Sequence, residues 1–253
     1  MSIPNSQAAN SQGTKSRGAS WELGVGVLGV VVAVLLAAPP VAAAGRGVSF
    51  RSEDGRTVTA VVFEASQRPS AAVVLVPMLG RPKEDWDAVG QRFADANILA
   101  LAIDLPASSA PDDSKVLGGW SVDVRAAIAY LGSRSDVRSG AIGVAGASLG
   151  ASLAAVAAAD DPVVRSLALI SPSLEYRGLR LESSMKQYGG RPALVIASTH
   201  DPYAARSARE IAKDPPGVRE TRFSETPAHG TLLLARDADL VRALIEWFQR
   251  TLG

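Results

Sequence analysis

Gly146-Ala147-Ser148-Leu149-Gly150 has the spacing G-x-S-x-G, which sets a serine on a tight strand-to-helix turn between residues small enough for close backbone approach. A serine hydroxyl is a poor nucleophile until a base takes its proton, so the pattern asks for an imidazole elsewhere. The chain has two histidines, His200 and His229. His229 lies in Pro227-Ala228-His229-Gly230-Thr231, a loop before the closing helix from which a side chain can reach back over a sheet edge. An imidazole acting as base needs an anion to fix its tautomer, and Asp201 stands just beyond an apolar run that ends at Thr199. His200 competes as base through adjacency to Asp201 alone. The order Ser148, Asp201, His229 is nucleophile, acid, base, which differs from the other two common serine-triad orders. The oxyanion of a tetrahedral intermediate needs backbone donors. The Leu149 N–H offers one at the start of a helix, and a second is expected from the loop Pro77-Met78-Leu79-Gly80.

Composition narrows the alternatives. The chain has 253 residues, and 26 Lys+Arg against 25 Asp+Glu leave a formal charge of +1, so no basic footprint points to nucleic acid. A hydrophobic share of 47% supplies a packed core and excludes a disordered chain. With no cysteine, disulfide frameworks, thiolate zinc sites, iron–sulfur clusters and a cysteine nucleophile are excluded together. Two histidines are too few for a multi-histidine metal centre. No metal and no organic cofactor is implied.

The first 44 residues read as a leader outside the fold. Lys15 and Arg17 precede an apolar run from Leu23 to Ala38, Pro39-Pro40 breaks it, and Val41 to Gly45 offers small residues at the positions a signal peptidase reads. A signal peptide cleaved after Ala44 would leave 45–253 as the domain. The alternative is an uncleaved anchor, because Leu23 to Ala44 approaches the ~20 residues that span a bilayer. Either reading puts the domain outside the cytoplasmic membrane, periplasmic or secreted. Gly24-Val25-Gly26-Val27-Leu28-Gly29 spells a dinucleotide-binding glycine pattern, but no strand precedes it and no acidic residue follows about 20 positions on, so a nucleotide site is rejected.

After Gly45, short apolar runs alternate with amphipathic stretches, as in βα units around a mostly parallel sheet. Strands are expected at Val48 to Arg51 and Thr57 to Ala65, a hairpin turned at Asp54-Gly55. Further strands are expected at Ala71 to Pro77, Ile98 to Leu105, Ala141 to Ala145, Val164 to Ser171, Pro192 to Thr199 and Arg219 to Phe223. Helices are expected at Glu84 to Asn97, at Gly119 to Gly132 with Val122, Ala126, Ile128 and Ala129 inward, at Leu149 to Ala159, at Tyr203 to Lys213 and at Arg236 to Arg250. Pro172 to Gly190 reads as a loop with at most one short helix. The fold class is α/β, a doubly wound sheet with helices on both faces.

These residues together resemble the α/β-hydrolase superfamily, and within it small capless serine esterases similar to dienelactone hydrolase. The likeness covers roughly Thr57 to Gly253, and its markers are GASLG at 146–150, the Asp201 turn and AHGT at 228–231. It implies an ester hydrolase working through a Ser148 acyl-enzyme, with His229 as base then acid and Asp201 orienting it. By the same likeness Leu79 joins Leu149 as oxyanion donor. The family's loop commonly opens with His, where this chain has Pro77. Dienelactone hydrolase uses a cysteine nucleophile, so its substrate is not carried over. Pro172 to Gly190 is too short for a helical cap domain, which implies an open site with Tyr176, Met185 and Tyr188 as candidate lining residues unless they pack down. A peptidase or acyltransferase with the same triad, and a binding protein that has lost turnover, are the alternatives.

Overall fold

The computed structural model describes residues 45–107, 109–213 and 217–253. The expected leader and the glycine pattern at 24–29 lie outside the described residues.

Alternation builds the outer strands and continuous apolar runs build the inner ones. β1 (Arg46–Arg51) and β2 (Thr57–Phe63) pair antiparallel about the Asp54-Gly55 turn. β2 buries every second side chain at its start, as a strand covered on one face does. β3 (Ser70–Val76) and β4 (Ile98–Ile103) are buried at every residue, as strands covered on both faces are. Between them a 3₁₀ turn, Lys83–Trp86, leads into α1 (Asp87–Asp95).

α2 (Ser114–Gly119) and α3 (Ser121–Gly132) precede β5 (Val137–Ala147), which runs into α4 (Leu149–Asp160) and then β6 (Val164–Ile170). β7 (Glu175–Tyr176) and β8 (Leu179–Arg180) form a small hairpin before α5 (Leu181–Tyr188). β9 (Ala193–Ser198), α6 (Pro202–Ile211), β10 (Arg219–Ser224), α7 (Thr231–Arg236) and α8 (Ala238–Leu252) complete the chain.

The eight-stranded sheet has the order β1-β2-β4-β3-β5-β6-β9-β10. Every pair from β4 to β10 is parallel. One apolar layer packs α1, α7 and α8 on the sheet through Trp86, Phe93, Leu233, Leu244, Trp247 and Phe248. The other packs α2 to α6 through residues such as Leu117, Leu131, Leu153, Met185 and Ala208. The expected doubly wound sheet with helices on both faces is therefore the observed one.

Three local expectations are corrected, and two helices are added. α2 was not anticipated before the helix expected at Gly119; the Asp113 side chain caps it by accepting the Lys115 N–H at 2.7 Å. In α3 Ala126 and Ile128 are buried as expected, together with Val124, Ala127 and Leu131, while Val122 is half-buried and Ala129 exposed. Small apolar residues ring this helix, so periodicity fixes its face poorly. The closing helix expected at Arg236 to Arg250 is α8, starting two residues later, and a further helix, α7, precedes it: Asp237 stops α7 and accepts from the Asp239 and Leu240 N–H groups at 3.1 and 3.2 Å to start α8. Met185 and Tyr188 do not line an open site: they are 7% and 2% exposed and sit in the layer of α4 and α5.

Candidate active site

Every parallel strand from β3 onward ends on the same edge of the sheet, and the chemistry-bearing residues follow these ends. Ser148 leaves β5 with φ 53° and ψ −117°, a strained backbone for a residue with a Cβ. The two glycines around it make the turn sterically possible. A Cβ on Gly146 would lie 2.2 Å from the Gly150 carbonyl oxygen, and one on Gly150 would lie 2.4 Å from the Pro77 carbonyl oxygen. The second of these contacts brings the loop after β3 against the first turn of α4. The Ser148 N–H donates to the Ile170 carbonyl at 2.9 Å and secures the turn on β6.

Asp201 follows β9 as the N-cap of α6, with Pro202 in the first helical turn. Its Oδ1 accepts the Ala204 N–H at 3.1 Å. Its Oδ2 lies 2.5 Å from His229 Nδ1, and His229 Nε2 lies 2.8 Å from Ser148 Oγ. A carboxylate only accepts, so Nδ1 is the donor and Nε2 keeps the lone pair that faces the serine hydroxyl. The His229 side chain remains 42% exposed. The structure thus brings Ser148, His229 and Asp201 into one hydrogen-bonded chain across 81 residues in one link and 28 in the other.

His229 is held from behind. The next residue, Gly230, has φ 58°, and a Cβ there would meet Met78 Sδ at 2.5 Å. Its N–H donates to Ser171 Oγ at 2.9 Å. Ser171 ends β6 with φ 49° and is fully buried.

The Leu149 N–H opens α4, and Leu79 lies in the turn closed by the Arg81 N–H on the Met78 carbonyl at 3.2 Å. Neither N–H has a hydrogen-bond partner among the described residues. His200 is exposed, and only its backbone N–H is used, donating to Ser198 Oγ at 3.0 Å.

Sequence reasoning missed Ser171, Thr231 and Asp85. Thr231 Oγ1 donates to Asp85 Oδ2 at 3.0 Å. Arg81 hydrogen bonds hold the Asp85 carboxyl below its ordinary value against the opposing effect of partial burial. No pattern in the sequence joins residues 85 and 231.

No protein-family model matches the sequence, and no curated protein is similar to it. Solved structures are similar in fold. DcsB, in complex with its substrate analogue, superposes with a TM-score of 0.72 at 13% identity, covering 82% of this chain and 99% of that one. A dienelactone hydrolase from Anabaena variabilis gives 0.68 at 15% identity, covering 83% and 98%. An esterase of Pyrococcus furiosus gives 0.66 at 14% identity, covering 83% and 93%.

Proposed function

On an α/β-hydrolase fold of the dienelactone-hydrolase type, we propose that this chain is a serine hydrolase cleaving carboxylic esters of small or soluble substrates. The observation that carries the reading is the hydrogen-bonded chain Ser148 Oγ, His229, Asp201 at a strained strand-to-helix turn. His229 Nε2 takes the hydroxyl proton as Ser148 Oγ attacks the ester carbonyl. Asp201 holds the tautomer and stabilises the imidazolium that forms. The N–H groups of Leu149 and Leu79 take the developing oxyanion. His229 then gives its proton to the leaving alkoxide, and the acyl-enzyme is hydrolysed by water activated on the same imidazole. The hydrolases and esterases among the similar folds agree with this reading.

Residues 171–192 hold only a four-residue hairpin pair and the eight-residue α5, which packs on α4. This supports an uncapped site, so activity falls as the acyl chain lengthens. The test is a panel of p-nitrophenyl esters from acetyl to palmitoyl, with fluorophosphonate labelling of wild type and Ser148→Ala. Labelling only of the wild type and fastest turnover of the short esters are expected. A long-chain emulsion hydrolysed faster than acetyl or butyryl esters overturns the small-substrate reading, and absent labelling of folded protein overturns the serine mechanism. We also propose that residues 1–44 export the domain, to be checked by fractionation and N-terminal sequencing. A soluble cytoplasmic product retaining Met1 overturns that.

A further inference from the structure

The loop after β3 and the loop after β10 come from opposite ends of the chain, yet one carboxylate touches both. Asp85 sits in the 3₁₀ turn that follows the β3 loop, where its N–H donates to the Pro82 carbonyl at 3.2 Å. The next residue, Trp86, is fully buried and anchors this turn in the α1–α8 layer. Asp85 accepts from Arg81 through both oxygens, at 2.6 Å from Nε and 2.8 Å from Nη2. This two-point pairing fixes the direction of Arg81 as well as its distance. Arg81 in turn closes the turn that contains Leu79.

From the other side Asp85 Oδ2 accepts the hydroxyl of Thr231, which is 3% exposed and two residues beyond His229. The hydroxyl gives Thr231 its side-chain hydrogen bond to this turn, while Gly230, between His229 and Thr231, is pinned on Ser171. The buried threonine hydroxyl thus gives the Asp85 carboxylate a donor from the far end of the chain, beside the two it receives from Arg81.

We infer that Asp85 is a positioning residue that ties the loop carrying the Leu79 N–H to the loop carrying His229. The inference rests on the serine-hydrolase reading above. The base must lie within hydrogen-bond reach of Oγ while the donors lie where the oxyanion will be, and both conditions are set by two loops that meet through Met78 against Gly230 and through the Asp85–Thr231 hydrogen bond. Asp85 holds the two loops at one separation. Its loss therefore acts on the transition state and leaves ground-state substrate binding largely alone.

The experiment compares wild type, Thr231→Val, Thr231→Ser, Asp85→Ala and Ser148→Ala in p-nitrophenyl acetate hydrolysis and in the rate of fluorophosphonate labelling. Thr231→Val removes one hydroxyl and leaves Asp85 paired with Arg81, so it remains informative if Asp85→Ala does not fold. Loss of kcat by roughly 10- to 100-fold with KM within about twofold is expected for Thr231→Val and Asp85→Ala, since a misplacement of about 1 Å costs on the order of 10²-fold. The labelling rate falls by the same factor, and Thr231→Ser recovers most of the loss. Unchanged kcat in folded Thr231→Val, or a fall in Tm or a rise in KM alone, overturns the inference and leaves Asp85 as a structural anchor. Absent labelling in wild type, or full activity in Ser148→Ala, removes the underlying reading and the inference with it.

Discussion

At the amino edge of the parallel strands, Arg191 commits its donors to backbone carbonyls; at the carboxyl edge, Ser148 keeps a hydroxyl pointed at an imidazole. Arg191 donates to the carbonyls of Tyr188, Asp161, Val164 and Ala158 at 2.7 to 3.0 Å, and its guanidinium lies 4.0 Å from the Tyr188 ring centroid. Three of these carbonyls, those of Ala158, Asp161 and Tyr188, lie at the ends of α4 and α5, where helix dipoles favour a cation, and that of Val164 opens β6. Burial lowers the proton affinity of Arg191, with the neighbouring Tyr188 and Asp161 side chains pulling it part of the way back. The Arg191 donors at the amino edge are thus taken up by backbone carbonyls and serve cohesion. The polar groups of the carboxyl edge are mutually paired but open, with His229 part exposed and two N–H groups unpartnered among the described residues.

The comparison is broken most sharply by removing the open groups. Ser148→Ala and His229→Ala should each lower kcat/KM by on the order of 10³-fold or more, and the double variant should lose little beyond either, because the pair acts as a unit. Asp201→Asn should also be severe through the wrong tautomer. Thermal unfolding should change by only a few degrees in all of them. A variant whose activity loss tracks its loss of fold would show that the carboxyl edge serves cohesion too.

The reverse effect is expected at the amino edge. Arg191→Ala strands several carbonyls that close two helices, and a loss of about 3 kcal/mol follows from hydrogen bonds to a charged donor. For a domain of this size that is a Tm lower by roughly 6 to 12 °C. Activity per labelled Ser148 should be unchanged below the transition. Calorimetry with active-site titration checks both halves.

Acid pH separates two carboxylates by sign. Burial raises the Asp123 carboxyl above its ordinary value, with Arg56 at 3.2 Å pulling it only part of the way back. Between the ordinary and the raised value the folded chain binds a proton that the unfolded chain does not, so the contribution of Asp123 to stability falls as pH rises. Asp85 is held low, so its contribution is present above the ordinary value and is lost as pH falls through the depressed one. Asp123→Asn should therefore steepen, and Asp85→Asn flatten, the rise of Tm between about pH 3 and pH 6, each by a few degrees or less. Shifts of the same sign would contradict this account.

How much of this was legible depends on how local each feature is. Gly146 to Gly150 carries its own turn chemistry, and the two histidines left few candidates for a base, so the order of Ser148, Asp201 and His229 stood out. The β3, β4 and β9 runs were readable because strands buried on both faces need no alternation. The Arg81–Asp85–Thr231 link was not readable, since Asp85 and Thr231 are 146 residues apart and each residue is ordinary in its own neighbourhood. α7 was not readable, because Thr231 to Arg236 is a single short apolar run beside the His229 loop, whereas the amphipathic spacing of α8 behind the Asp237 cap was. In α3 the run Ala126, Ala127, Ala129 made one face look much like another.

The smallest effect belongs to His200, and it tests the comparison from inside the carboxyl edge. His200 follows the same strand end as Asp201 and has the side chain a base requires. Its imidazole is exposed, and what the fold uses is its backbone N–H on Ser198 Oγ, whose hydroxyl donates to the Thr226 carbonyl at 2.6 Å. Alanine keeps that N–H, so neither the strand end nor the Asp201 cap is disturbed. His200→Ala should hold kcat/KM within about twofold of wild type, in the range usual for exposed substitutions away from the reacting groups. Kinetics on a short-chain nitrophenyl ester decide it. A dead His200→Ala beside an active His229→Ala would overturn the choice of base and reduce the segment from Ala228 to Thr231 to a turn.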